Sequence, residues 1–258
     1  MKKLLLILPL LFWIGCEDES EEPFSLVDEW VECAYLSLDY SYEDGTTDSY
    51  EYIWDGLSMD IYRNGSLYVS RLYNNYGRYL YIGYVDGNKY YYEFDDGWKI
   101  TRSITINTNG DTTNDNSTYT WDGLTVTYQS GGLYYTKTHN SYGKTLLETV
   151  ADSSGQEWYR DENTYKEDGR RLLEFKYYYT YDNELIQQHI YEWDGNVYER
   201  TDYINGEMNG KRIGEINKYG KEVKRDHYTC EGEGVDNCTL SYSMEAELDC
   251  DYFDPIPN

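Results

Sequence analysis

Between Pro23 and Pro255 the chain has no proline, and a turn signal recurs every 9 to 14 residues through most of that stretch. Glycines at 45, 56, 65, 77, 87, 97, 110, 123, 132, 143, 155, 169, 195, 206 and 220 supply the punctuation, and Asp182-Asn183 fills one interval. Many are hairpin dipeptides: Asp44-Gly45, Asn64-Gly65, Asp86-Gly87, Asp96-Gly97, Asn109-Gly110, Asp168-Gly169 and Asn205-Gly206. Asn-Gly and Asp-Gly accept the positive φ of tight hairpin turns. Proline, which removes a ladder donor, is missing where central strands would exclude it. This spacing predicts an all-β antiparallel meander of about 16 short strands, as an extended twisted sheet or a large barrel-like closure.

The segments between turns alternate with period two. In 57–62, Leu57, Met59 and Ile61 oppose Ser58, Asp60 and Tyr62; in 79–84, Leu80 and Ile82 oppose Tyr79 and Tyr81. In 173–181, Leu173, Phe175, Tyr177, Tyr179 and Tyr181 oppose Glu174, Lys176, Tyr178 and Thr180. One face is apolar and the other wet. Helix is a minor expectation, confined to Ser25–Ala34, where Ser25 and Asp28 suggest a capping box, and to Met244–Leu248.

Composition first argues against any fold. Leu, Ile, Val and Phe form about 17% of residues 16–258, and the formal charge is -26, a combination typical of disorder. Yet the chain holds 33 Tyr and 7 Trp, which disordered acidic chains lack. Aromatic rings supply the surface to bury, and they favour strands. Nucleic acid is excluded as a partner, because the charge repels phosphate and no basic stripe exists.

Met1-Lys2-Lys3 and the apolar run Leu4–Ile14 read as a secretory leader, too short for a membrane span. Trp13 suits ordinary signal cleavage badly. Ile14-Gly15-Cys16 instead resembles the bacterial lipobox, which implies removal of residues 1–15 and acylation of Cys16. Residues 16–24 then form an acidic tether, Glu17 to Glu22, resembling the surface-export signal of Bacteroidetes lipoproteins. The resemblance implies a lipid anchor in the outer membrane, facing the cell exterior. The remaining cysteines, Cys33, Cys230, Cys238 and Cys250, are even in number and allow three connectivities. Cys230 and Cys238 flank a flexible turn, which leaves Cys33 to join Cys250; spacing argues against a metal site.

A longer period lies over the turns. Trp54, Trp121 and Trp193 each sit in a Tyr–Trp-Asp-Gly phrase, and each is followed by Tyr76-Gly77-Arg78, Tyr142-Gly143-Lys144 or Tyr219-Gly220-Lys221. Residues 25–258 are therefore read as one domain of three supra-repeats of about 70 residues. These phrases, with Tyr179-Thr-Tyr181-Asp182-Asn183, resemble the YD (RHS-type) repeats of bacterial surface proteins, and Tyr203–Lys211 resembles MORN-variant repeats. Both imply β-meanders for presentation, encapsulation or binding, with no shared active site. Leu26-Val27-Asp28-Glu29-Trp30 is similar to the opening of lipocalin-like lipoprotein domains, which implies a closed barrel with a ligand cavity.

Motifs for catalysis are absent. His139, His189 and His227 stand alone rather than in H-E-x-x-H, and neither G-x-S-x-G nor a P-loop occurs. The 48 carboxylates guarantee close pairs in any fold, so a glycosidase pair cannot be chosen among them. Asn107–Asn116 is rich in oxygen donors but lacks EF-hand order, and reads as a solvated loop. The repeated tryptophans could stack on sugar rings, although equivalent repeat positions more often bury equivalent core rings. The expectation is a lipid-anchored, non-enzymatic surface module that binds or displays protein or glycan, without metal or cofactor. A ligand-carrying barrel or a glycan-active hydrolase is the alternative.

Overall fold

The computed structural model describes residues 31–95, 99–112, 117–179, 184–230 and 237–256. Eighteen strands are described, beginning with β1 (Ala34–Tyr42). β2 (Thr47–Asp55), β3 (Ser58–Arg63), β4 (Ser66–Tyr73), β5 (Tyr79–Tyr84), β6 (Lys89–Asp95) and β7 (Lys99–Ile106) come next. Then come β8 (Ser117–Asp122), β9 (Thr125–Ser130), β10 (Leu133–His139), β11 (Thr145–Ala151), β12 (Glu157–Tyr165) and β13 (Leu172–Tyr179). β14 (Glu184–Asp194), β15 (Val197–Ile204), β16 (Glu207–Ile216), β17 (Glu222–Cys230) and β18 (Cys238–Asp249) complete the set.

Every strand pairs antiparallel with the next, and β18 pairs back onto β1 through partners such as Leu38↔Ala246 and Tyr40↔Met244. The sheet is a closed up-and-down barrel. An even strand number lets the last strand meet the first antiparallel, and closure leaves no exposed edge. The open-sheet alternative is thereby excluded. The expected count of about 16 strands rises to 18, with β17 and β18 paired up to Cys230↔Cys238.

Local chemistry explains the hairpins. Asn64 and Asn205 have φ of 50° and 52°, and Gly65 and Gly206 follow at 79° and 82°, the left-handed pair that a two-residue hairpin needs. All the punctuating glycines within the described residues have positive φ; Gly97 and Asp182-Asn183 lie outside those residues. No α-helix forms among the described residues. Met244–Leu248, expected as helix, lies inside β18, where Met244 and Ala246 face the lumen opposite Tyr40 and Leu38. Ala34 opens β1 rather than ending a helix; residues 25–30, including the lipocalin-like opening, fall outside the described residues, as do the leader and tether.

The strand faces divide sharply. On β2, Thr47, Ser49, Glu51, Ile53 and Asp55 are exposed, whereas Asp48, Tyr50, Tyr52 and Trp54 are half-buried. On β15, Tyr198, Arg200 and Asp202 are buried. Following the ladder pairs round the ring, the inner face carries Tyr, Trp, Arg and His, and the outer face mainly Ser, Thr, Asp, Glu and Lys. Eighteen strands enclose more space than aliphatic side chains can span. The long rings reach into that bore, which is why tyrosine replaces leucine here. Tyr79 departs from the expected alternation: a register shift between Leu72 and Tyr73 pairs it with Tyr73 and turns it inward.

The ring is closed covalently as well. Cys33 is bonded to Cys250, and Cys230 to Cys238. The first bridge lies where β1 and β18 meet, at the barrel end that also carries the Trp-Asp-Gly turns. Residues of both terminal segments, Val31, Ala34, Phe253 and Ile256, are buried there. Phe253 and Ala34 join Met59, Ile61, Val69 and Tyr73 in the main apolar cluster.

Candidate ligand-binding site

The three supra-repeats each contribute six strands, and their equivalent residues meet at this plugged end. Trp54, Trp121 and Trp193 are the last residues but one of β2, β8 and β14. Each indole Nε1 donates to a carbonyl of the preceding strand: Tyr35 at 2.8 Å, Ile100 at 2.8 Å and Leu172 at 2.7 Å. β1 therefore occupies the place of β7 and β13, so the N-terminal strand completes the third repeat. The Cys33–Cys250 bridge stands at the position of the Lys166–Arg171 turn between β12 and β13.

The Tyr-Gly-Arg/Lys phrases form three like turns. The side-chain oxygens of Asn74, Asn140 and Asn217 each accept from the main-chain nitrogens two and four residues on, at 3.0–3.1 Å. That geometry aims the following cations, Arg78, Lys144 and Lys221, at the centre. There Glu32 contacts Lys221 at 2.5 Å and Arg78 at 3.6 Å. Burial opposes the Glu32 carboxylate, but Lys221 and Arg78 outweigh it and hold its pKa below the usual range. Burial, then repulsion from Lys221, lowers the pKa of Lys144.

The surroundings of the three tryptophans differ. Beside Trp54 lies the C-terminal segment, with Tyr252 and Phe253 at ring-centroid distances of 4.6 and 5.5 Å. The Tyr252 hydroxyl donates to the Gly56 carbonyl, and the Asp254 nitrogen to the Asn75 carbonyl at 2.8 Å. Phe253 covers Gly77, where a Cβ would fall 2.9 Å from its ring. Beside Trp193 the space is filled from within. Tyr198 packs on the indole at 5.2 Å and lies over Gly214, whose Cβ would fall 2.4 Å from the ring. The Arg171 guanidinium lies 5.9 Å from the Trp193 ring centroid and donates to the Gly195 carbonyl at 3.0 Å.

Beside Trp121 the described neighbours differ, and His139 stacks on its ring at a centroid distance of 5.9 Å. Val126 stands in the ladder position of Tyr198, and Lys137 in that of Gly214. A cavity of about 1070 Å³ results. Its walls are aromatic, with Tyr79, Tyr92, Phe94, Tyr119, Trp121 and Tyr128, and it is also lined by Arg78, Lys99, Lys137 and His139. Lys99 lies 5.5 Å over the Trp121 ring, a favourable cation–π position. A smaller hollow of about 230 Å³ shares Tyr92, Tyr119 and Tyr128 with it. No carboxylate lines the cavity among the described residues. Burial and Lys137 depress the pKa of His139, which keeps its ring neutral at pH 7. Its Nδ1 lies 3.4 Å from Thr145 Oγ1.

Next to this wall, Lys137 contacts Glu148 at 3.0 Å, and Glu148 pairs across the ladder with Asp161. Burial and the Glu148 charge push the Asp161 pKa up to about 6. The folded state then binds this proton more tightly than the unfolded chain does. Its contribution is favourable below about 4 and is lost as pH rises through about 6. Asp161→Asn is therefore expected to raise the melting temperature at pH 8 relative to wild type, with the gap closing by pH 4; melting curves across that range provide the test.

The other sequence candidates do not gather here. His189 contacts Asp202 at 2.5 Å, and Asp202 is held by Arg200 at 2.6 and 2.7 Å; this set belongs to the inner wall of β14 and β15. His227 stacks on Tyr242 at 4.9 Å. Asn107 Oδ1 accepts from the nitrogens of Asn109 and Asp111, so its side chain shapes a turn; residues 113–116 lie outside the described residues. No group of three His, Cys, Asp or Glu comes together as metal ligands among the described residues. The opposite barrel end presents exposed Tyr68, Tyr134, Trp158 and Tyr179.

Fold and site together define a closed antiparallel barrel with an aromatic interior and an aromatic-walled cavity beside Trp121. The chain matches no family model, and no curated protein matches it. Among solved structures it is similar to a porin-like protein from Bacteroides uniformis, at 8% identity and a TM-score of 0.38 over 88% of this chain and 100% of that one. A porin-like protein from Bacteroides vulgatus aligns at 9% identity and a TM-score of 0.38, over 84% of this chain and 98% of that one. The Photorhabdus luminescens Tc holotoxin pore aligns at 10% identity and a TM-score of 0.24, over 78% of this chain and 17% of that one. Scores this low leave the fold to rest on the strand pairing itself.

Proposed function

We propose that this protein is a non-enzymatic binding barrel, held at the outer membrane by a lipid on Cys16, whose ligand enters the cavity beside Trp121. The carrying observation is that cavity: about 1070 Å³ of aromatic-walled space with Arg78, Lys99 and Lys137 on its lining. Flat rings with nearby cations favour a ligand that carries a ring face and a negative charge. The outward strand faces carry exposed charged and polar residues, such as Ser49, Glu51 and Asp55 on β2 or Glu93 and Asp95 on β6, interspersed with apolar ones such as Ile53 and Tyr91. Lipid chains do not accept such a face, so the barrel belongs in water with the anchor as its membrane link. The hydrolase alternative lacks support at the cavity, whose histidine contacts a threonine rather than a carboxylate.

The test is a screen of acidic oligosaccharides and acidic peptides by calorimetry, repeated on Trp121→Ala. A buried aromatic anchor is worth about 2 kcal/mol, so affinity for any ligand found should fall about thirtyfold. A ligand whose affinity survives Trp121→Ala unchanged binds elsewhere, and the site assignment then fails.

A further inference from the structure

The inner wall from β14 to β18 carries a row of directly paired side chains: Tyr191, Arg200, Arg212, His227 and Tyr242, one on each strand. Direct cross-strand partners stand about 4.5–5.5 Å apart at Cβ, and like charges placed so repel. Arg200 and Arg212 are such a pair, and Arg225 lies two residues before His227 on the same face of β17. The carboxylates beside this row, Asp202 and Glu222, are both engaged. Asp202 is held by Arg200 at 2.6 Å and by His189 at 2.5 Å. Glu222 contacts Arg225 at 2.6 Å and accepts from the Tyr198 hydroxyl. The hydroxyls of Tyr191 and Tyr242 accept from Arg200 and Arg225, each at 3.4 Å. Arg212 is the cation left over. It makes no ion pair with a described carboxylate, and its Nε is buried with no hydrogen-bond partner among the described residues. On the next strand, His227 Nδ1 is buried without a partner in the same way.

We propose that the Arg212 guanidinium and the His227 imidazole form an oxyanion site on the wall of the bore, which takes the carboxylate, sulfate or phosphate group of a small ligand. A guanidinium fork matches two oxygens of such a group, and a cation held inside without its anion is costly. Both residues are half-buried. Gly210 and Gly214 flank Arg212 on the inner face of β16, so no side chain of its own strand crowds the fork. Tyr242 stacks on the face of the His227 ring at 4.9 Å, an arrangement that keeps the nitrogen edge for hydrogen bonding. Burial first, then the Arg212 charge, hold the His227 pKa below its ordinary value; Arg200 and Arg225 act in the same direction, and Asp202 opposes them. An oxyanion would neutralise that excess of positive field. The site stands apart from the cavity beside Trp121, whose lining includes none of these residues, so neither reading depends on the other.

The experiment follows the isotope-labelled full chain by NMR as sodium sulfate, phosphate or acetate is added at pH 7, against sodium chloride at matched ionic strength. At least one of the three oxyanions should shift the Arg212 Nε–H and His227 ring signals saturably, whereas chloride should not. A response to sulfate and phosphate without acetate identifies a tetrahedral group, and a response to acetate alone a carboxylate. Arg212→Met, which keeps the stem and removes the charge, should weaken that binding at least about tenfold, the loss of one charge-assisted hydrogen bond. His227→Phe, which keeps a ring on Tyr242, should weaken it as well. In chloride, Arg212→Met should melt no lower than wild type, because it relieves the repulsion from Arg200. Shifts that never saturate, or binding that Arg212→Met leaves intact, would overturn the site. A lower melting temperature for Arg212→Met in chloride would overturn it too, by making Arg212 a structural cation.

Discussion

Replacing Cys33 and Cys250 together by serine is expected to lower the melting temperature by about 10–20 °C. The bridge spans 217 residues, and in the chain-entropy model such a loop contributes about 5 kcal/mol. For a domain of this size each kcal/mol corresponds to about 2–4 °C. The Cys230–Cys238 bridge spans only 8 residues and contributes about 2.6 kcal/mol in the same model. The serine pair at 230 and 238 should therefore cost about half as much. The first pair also has a local consequence that the second lacks. Cys33–Cys250 sits at the seam between β1 and β18, so amide exchange in those two strands should accelerate selectively on its removal. Calorimetry and hydrogen exchange on the two double variants separate these effects. Equal losses from both pairs would contradict the seam assignment.

Glu32→Gln is expected to cost about 2–3 kcal/mol at pH 7. The carboxylate contacts Lys221 and Arg78 and lies within the field of Lys144. Its side chain is 26% exposed, so the loss falls below that of a fully buried pair, which runs to about 3–5 kcal/mol. Removing the anion leaves three cations from three repeats facing one another. Because the folded pKa of Glu32 is depressed, its contribution is fully present above about 4.5, the ordinary value for glutamate. It is lost as pH falls through the depressed folded value. The gap between wild type and Glu32→Gln should therefore be widest near neutrality and shrink below that point. A gap that stays constant down to pH 3 would mean that packing, and not charge, is what Glu32 supplies.

Much of the architecture was written locally. Turn positions follow from Asn-Gly and Asp-Gly chemistry, and the inward faces of β3 and β13 follow from period-two alternation. The threefold repeat was legible in the Trp-Asp-Gly and Tyr-Gly-Arg/Lys phrases. Closure was not legible, because it depends on the curvature and stagger of the whole sheet, which no single strand encodes. Nor was the third repeat's completion by β1, since a pairing between chain ends leaves no local trace. Met244–Leu248 misled because Met, Glu, Ala and Leu favour helix in isolation, whereas pairing on both sides of β18 overrides that preference.

The cavity was hidden for a different reason. The three tryptophans look alike in sequence, and equivalence argued for equivalent burial. What separates them is the residue five positions on: Met59, Val126 and Tyr198. Of these only Tyr198 supplies a ring to its tryptophan from that position, and the C-terminal segment packs on the tryptophan beside Met59. Aligning the repeats beyond their shared phrases would have exposed that difference. Tyrosine content, which first served only to argue against disorder, is accounted for by the width of the bore those rings fill.

The most direct test of a water-facing barrel tethered by lipid is the fractionation of a chain that cannot be acylated. Residues 1–16 are replaced by an ordinary cleavable leader, and the cell envelope is separated and washed with alkaline carbonate. The outward Ser, Thr, Asp and Glu predict that the barrel appears in the soluble fraction without detergent, folded and β-rich by circular dichroism. A barrel that stays with the membrane through the wash, and leaves it only in detergent, would contradict the account.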